Sequence, residues 1–340
     1  MSTLPRILIT GATGFLGSHV LQQALEAGYP VNITTRLAKV DALQKHLGDK
    51  VHVFRVDDAA TGDYSNALKG VGAIIHCAAP IFSKADSDGL LRGAIDGALN
   101  IVKQAVAAGI FKIVITSSLV TANPDDKLML SDYTYTDKDW NPATKEETKD
   151  QTHDSWWFYQ AAKTIAEQEV WAFADQHPEV DITMINPPFL YGPFAQQFQI
   201  NKGDYTAFST NGYFYRNVLK VQGKLAAVQQ VGPLTVDVRD AAKAHLLALK
   251  APTTSEVGRK RLLVGEQFFT WKDAVEHLNT VRPELKDRLP DTSEAQELTI
   301  AKVDTKRAAD VLGLTTYTDW KKTVEDTADN LVAIEKSWAA

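Results

Sequence analysis

Tyr159 and Lys163 stand four residues apart, a spacing that places both on one face of a helix. Near the start of the chain, Thr10-Gly11-Ala12-Thr13-Gly14-Phe15-Leu16-Gly17 forms a glycine-rich turn just after a short apolar run. An unperturbed phenol gives up its proton at a pH of about 10, and a neighbouring ammonium lowers that value. A glycine turn that opens a helix is a ready site for phosphate. Together the two motifs point to hydride transfer, with Tyr159 as the acid and Lys163 both tuning it and holding the nicotinamide ribose. A hydroxyl at the end of the fifth strand would complete a carbonyl site, Ser118 and Tyr159 converging on one oxygen. Thr116 and Ser117 stand beside it as strand-end caps, and spacing alone does not separate Ser117 from Ser118.

The turn follows a predicted strand and precedes an amphipathic helix, Phe15 to Ala27, the setting a pyrophosphate site requires. Gly11 allows the tight turn, Gly14 lets backbone approach phosphate and Gly17 lets the helix pack on the strand. The glycines are spaced Gly-x-x-Gly-x-x-Gly, one residue wider at the start than the commonest dinucleotide fingerprint. At the end of the second strand an acidic residue would select NAD and basic ones NADP. Arg36 holds that place, Lys39 follows, and no Asp or Glu stands between Val31 and Val40, so a 2′-phosphate clamp is expected. Asp57 ends the third strand, placed for the adenine amine, and Asp58 follows it; turn formation is the plainer role for both. The run Asn186 to Pro193 contains Pro187, Pro188, Phe189 and Leu190 and predicts a stiff loop packed against nicotinamide. His76, Cys77, His19 and His153 have no metal-site spacing, so no metal is expected.

The elements that must position these groups are legible as an alternation. Short β-branched runs at Arg6–Thr10, Val31–Thr35, Val51–Val56, Ala73–His76, Ile113–Thr116 and Ile182–Ile185 are separated by helical stretches. That pattern predicts a Rossmann-type α/β fold, a doubly wound parallel sheet with helices on both faces. Gly89 to Ala108 has helical spacing and predicts a crossover helix. Two stretches break the alternation: the polar Asn123 to Asp154, expected at the rim of the site, and the aromatic-rich Tyr191 to Gly232, expected as a lobe over the cofactor. A helix over Val236–Lys250, a strand at Arg261–Val264, and helices at Trp271–Asn279 and Asp319–Trp338 follow. The domain reading is therefore interleaved: 1–190 as the dinucleotide-binding domain with 234–265 returning to it, and 191–233 with 266–340 as a substrate lobe.

With 340 residues the chain can bury roughly 75% of its unfolded surface. Cys77 is the single cysteine, which excludes an intramolecular disulfide and suits a reducing compartment. The first strand begins almost at the N-terminus and no apolar run spans a bilayer, so neither a removable leader nor a membrane anchor is expected and a cytoplasmic location is. Lys+Arg 36 against Asp+Glu 42 gives a net charge of -6, which disfavours nucleic acid as a partner. The oligomeric state is left open.

In their order, these residues resemble the extended short-chain dehydrogenase/reductase superfamily, and within it the fungal ketone and aldehyde reductases similar to plant dihydroflavonol reductase. The resemblance rests on the glycine turn, Arg36, Asp57, His76-Cys77-Ala78-Ala79-Pro80, Thr116-Ser117-Ser118, Tyr159 to Lys163, and Asn186 to Pro193. It implies Ser118, Tyr159 and Lys163 as catalytic residues, Ser118 matching the second serine of the family's motif. It implies Thr13, Phe15, Leu16, Ala78 and Ala79 on the cofactor, Arg36 and Lys39 on its 2′-phosphate, and Pro187 to Leu190 near nicotinamide. Phe82, Leu119 and Val120 are expected around the substrate with Ser118 and Tyr159. The implied reaction is reduction of a small-molecule ketone or aldehyde to an alcohol by NADP(H). Ala79 and Leu119-Val120 depart from the family pattern and touch pocket shape. Two other readings share these motifs: a nucleotide-sugar epimerase or dehydratase, disfavoured by Arg36, and a non-catalytic NADP(H)-sensing protein, which would need neither Tyr159 nor Lys163.

Overall fold

The computed structural model describes residues 4–79, 86–198, 200–227 and 233–339. In chain order, β1 (Arg6–Thr10) feeds α1 (Phe15–Glu26), and β2 (Val31–Thr35) feeds α2 (Val40–Leu47). β3 (Val51–Arg55) and β4 (Val71–His76) follow, then the crossover helix α3 (Ser87–Ala107) and β5 (Lys112–Thr116). The short β6 (Thr134–Tyr135) precedes α4 (Ser155–Asp175), which leads into β7 (Asp181–Asn186) and β8 (Phe189–Tyr191). Next come α5 (Asn211–Phe214), β9 (Leu234–Asp237), α6 (Val238–Ala248), α7 (Thr254–Val257) and β10 (Lys260–Leu263). The chain closes with β11 (Gln267–Phe268), α8 (Trp271–Val281), β12 (Lys302–Val303), α9 (Lys306–Leu312) and α10 (Trp320–Ala339).

Seven of these strands form one sheet in the order β3-β2-β1-β4-β5-β7-β10, every neighbouring pair parallel. Alternate residues feed opposite faces, as the two-residue strand period requires. Ile7, Ile9, Ile75 and Val114 join one core with α1 and α6, whereas Leu8, Ile74, Ile113 and Met184 join the other with α3 and α4 residues. Covered on both faces, strands such as β1 and β2 are buried almost throughout. The strand order reverses direction at β1 and β4, where the crevice of a doubly wound sheet opens.

Small residues set how close α4 can lie to α3. Ala94 of α3 packs on Ala162 and Ala166 of α4. The start of α4 is fixed by Asp154, whose carboxylate accepts from the Trp157 amide at 2.8 Å. A separate apolar core draws on Tyr191, Phe208, Phe214, Phe269, Trp271, Val324 and Leu331.

Two local expectations are corrected. The helix expected from Val236 begins at Val238, because Leu234 to Asp237 pairs with β8 and β11, and Asp237 then caps α6 by accepting from the Arg239 amide at 2.9 Å. The run expected as a stiff loop from Asn186 to Pro193 contains β8, which pairs in parallel with β9. Both are short strands whose partners lie far along the chain, so local pattern does not reveal them. No helix among the described residues is long and apolar enough to cross a membrane.

Candidate active site

A single cavity of about 1060 Å³ runs along the ends of the central strands, from the glycine turn past Ser118 and Tyr159 to Tyr213 and Arg216. It exceeds the roughly 300–1,000 Å³ of an ordinary small-molecule site. At one end the backbone is shaped for close approach. Gly11 has φ +71°, and a Cβ there would lie 2.6 Å from the Ala78 nitrogen. A Cβ at Gly17 would lie 2.1 Å from the Gly11 oxygen, so a side chain at either position collides with backbone. Gly14 caps α1 without any side-chain hydrogen bond, and no acid stands in the first turn. The amides of that turn are thus left for an anion. Thr13, Phe15 and Leu16 line the same wall, with Ala78 and Ala79 facing them across the β1–β4 crevice.

Arg36 is exposed and lines the cavity at the end of β2. Lys39, expected beside it, sits exposed in the short turn Leu37–Lys39 and is not among the described residues lining the cavity, because that turn carries it away from the strand end. Asp57 and Asp58 both line it, but their carboxylates already have protein partners. Asp57 accepts from the Leu37 amide at 2.8 Å and pairs with Arg55 at 2.5 Å, which holds its pKa below the usual carboxylate value. It thereby ties the loop bearing Arg36 to the end of β3. Asp58 accepts from the Ala60 amide at 2.8 Å, a turn-forming bond, and pairs with Arg92 at 3.0 Å. Arg92, on α3, is a cavity residue that sequence reasoning missed.

At the centre, Ser118 and Tyr159 line the cavity together. Burial pushes the Tyr159 pKa up, the neighbouring Ser118 hydroxyl works against that rise, and Tyr213 adds to it. The lowering expected from Lys163 is therefore not what the fold produces by itself. The Lys163 ammonium lies 3.4 Å from the Thr116 carbonyl. Burial pulls its pKa down to about 8, against opposing pulls from Glu167 and Cys77. Cys77 is pushed up to about 11 by burial, an unreactive thiol at neutral pH.

Geometry separates the two serines. Ser117 donates to the buried carboxylate of Glu167, which also accepts from Thr121 at 2.8 Å, Asn186 at 2.8 Å and Arg261 at 2.6 Å. Ser117 is thus spent on structure, leaving Ser118 for the phenol. Behind Lys163 a void of about 30 Å³, lined by His76, Thr116, Ser117 and Glu167, is roomy enough for about one water.

Beyond Tyr159 the walls turn aromatic. Trp156 stacks on Tyr159 with ring centroids 5.6 Å apart and on Phe189 at 6.1 Å, and Tyr213 meets Phe189 edge-on at 6.0 Å. Pro187, Pro188 and Leu190 line this part with Leu119 and Val120. Phe82 lies outside the described residues. Trp156, Tyr213 and Arg216 were not singled out from sequence for this site; the aromatic enrichment of 191–215 was the signal for Tyr213.

A model of the NAD dependent epimerase/dehydratase family matches residues 7–265. The chain belongs to that family. Within it, the chain is 30% identical to the ketoreductase azaE of Aspergillus niger, over 97% of this chain and 98% of that one. It is 28% identical to the NADPH-dependent methylglyoxal reductase GRE2 of Saccharomyces cerevisiae, again over 97% and 98% of the two chains. The solved complex of Gre2 with NADPH from Candida albicans superposes with a TM-score of 0.83 at 27% identity, covering 97% of this chain and 99% of the other.

Proposed function

We propose that this epimerase/dehydratase-family protein is an NADPH-dependent reductase of ketones or aldehydes. The observation that carries the reading is the Ser118–Tyr159 pair, with the half-buried Lys163 one helical turn from Tyr159, midway along a cavity whose ends differ in character. One end is cradle-shaped for a dinucleotide: Gly11, Gly14 and Gly17 admit backbone contact, the first turn of α1 holds the pyrophosphate, and Arg36 holds the 2′-phosphate. When bound, NADPH supplies the hydride.

The chain supplies the rest. Ser118 and Tyr159 direct two hydroxyls at one carbonyl oxygen, and Tyr159 delivers its proton as charge develops there. Its raised pKa keeps it protonated at neutral pH, the state an acid must be in before reduction. Lys163 holds the nicotinamide ribose and lends the phenolate a positive neighbour. Trp156, Phe189 and Tyr213 form an apolar body site that excludes water and favours a carbonyl compound with an aromatic or aliphatic body.

The kinship with NADPH-dependent reductases over nearly whole chains supports this over a sugar-nucleotide role. The test is NADPH consumption against a panel of ketones, aldehydes and nucleotide sugars. Turnover of uncharged carbonyl compounds far above nucleotide sugars is expected. The reverse order would replace this reading with the epimerase one.

A further inference from the structure

The outer end of the cavity holds a cation that carbonyl reduction by itself does not require. The charged residues among the described cavity lining are Arg36, Asp57, Asp58 and Arg92 at the glycine-turn end, Lys163 at the centre, and Arg216 alone beyond it. Arg216 is displayed by a π-type turn (Tyr215–Leu219), a rare backbone form that recurs at functional sites. Its guanidinium carbon lies 4.9 Å over the Tyr213 ring. A Cβ at Gly212 would lie 3.2 Å from its Nη1, so the glycine leaves room for the guanidinium to fold back along α5.

The segment before it is held in place. The Thr210 hydroxyl donates to the Leu190 carbonyl, and the Asn211 amide donates to the Gly192 carbonyl at 2.7 Å. Ser209, also on the cavity wall, is the one non-glycine among the described residues with a positive φ, 54°. Backbone held in so sparse a region by its surroundings is commonest where a ligand is gripped.

We propose that Arg216 binds a carboxylate carried by the substrate, so that the preferred substrates are oxo acids whose carbonyl sits at Ser118 and Tyr159 and whose acid end reaches the Tyr213–Arg216 stack. This rests on the reductase reading above. A guanidinium lying on an aromatic face keeps its in-plane N–H groups free, and their fork matches a planar carboxylate. Among the described residues, no acid lines this half of the cavity to compete for them. Among the described residues the one cation here matches one negative charge, whereas a diphosphate would bring more than one. The intervening walls of Trp156, Phe189 and Tyr213 suit an apolar linker between the two ends of such a substrate.

The test uses a series of aryl oxo acids with different numbers of methylenes between carbonyl and carboxylate, each beside its methyl ester. With NADPH as donor, kcat/KM is measured for the natural chain, Arg216→Gln and Arg216→Lys. In the natural chain the best-fitting acid should outrun its ester by about fivefold to fiftyfold, a range between an exposed ion pair and a charge-assisted hydrogen bond. That advantage should shrink with added salt, vanish in Arg216→Gln and persist in part in Arg216→Lys. Acids that never outrun their esters, or an acid-to-ester ratio untouched in Arg216→Gln, would overturn the inference. If neither acid nor ester consumed NADPH, the reductase reading would fall first. Quenching of Trp fluorescence by acid and ester in the NADPH-loaded protein would still decide for Arg216, if the acid's tighter binding is lost in Arg216→Gln, or against it, if no such difference is seen.

Discussion

Adjacent serines with opposite duties show how finely the site is set. Ser117 is fixed to Glu167 while Ser118 faces the cavity with Tyr159, although the two are neighbours in the chain. The strand end makes the difference: successive side chains leave β5 in opposite directions. At the same scale Arg36 stands on the cavity wall, its loop anchored through the Leu37 amide to Asp57. A guanidinium fork on a 2′-phosphate is a charge-assisted contact of about 1.5–3 kcal/mol, or roughly tenfold to hundredfold in preference. Arg36→Ala should bring the specificity constants for NADPH and NADH together, and Arg36→Asp should invert them. Steady-state kinetics with both donors reads this directly, and an unchanged preference in Arg36→Ala would reduce Arg36 to a surface residue. Lys39, off the cavity wall, should matter far less.

Among the elements, α4 organises the centre. Tyr159, Lys163 and Glu167 recur at intervals of four along it, so one helix face presents the acid, the ammonium and a buried carboxylate. Glu167 is gripped by Arg261 from β10, whose guanidinium also donates to the carbonyls of Asp137 at 2.9 Å and Asp139 at 2.6 Å and lies 3.9 Å from the Trp140 ring centre. This arginine pins the rim segment 123–154 to the sheet. Arg261→Met should cost about 3–5 kcal/mol of stability, since it strands a buried carboxylate. Adding Glu167→Gln should recover part of that loss, a coupling that chemical denaturation of the single and double variants would show or exclude. Strictly additive losses would mean that the pair is not coupled. The parallel sheet, the crossover helices and the glycine turn were legible from the sequence because each rests on local periodicity or a turn that only glycine permits. β8 and β9 were not, since each short strand is defined by a partner more than 40 residues away. Glu167 and Arg261 were missed for the same reason: alone, each reads as a surface charge, and only the fold brings them together from 94 residues apart. Nor did spacing reveal that burial would raise rather than lower the Tyr159 pKa.

On the scale of the whole molecule, the same burial that tunes the site sets its acid limit. Burial lowers His76 to about 3, aided by Lys163, and His245 to about 4. A free histidine titrates at about 6.5. Between those values the unfolded chain holds protons that the folded chain does not, so stability is fully present above pH ~6.5 and is lost as pH falls toward the folded values. Each histidine removes up to about 2 kcal/mol between pH 7 and pH 5. Melting temperatures across that range should fall with acid, and His245→Gln, which keeps a side chain able to reach Thr116, should flatten the slope; an unchanged slope would shift the cause elsewhere. The central claim concerns Tyr159. Its most direct test is NADPH-dependent reduction of an aryl ketone or aldehyde by the natural chain and by Tyr159→Phe, with NADPH affinity measured on both by cofactor fluorescence. The account predicts a loss of about 10²–10⁴-fold in turnover with affinity nearly unchanged. Near-native turnover in Tyr159→Phe would contradict it.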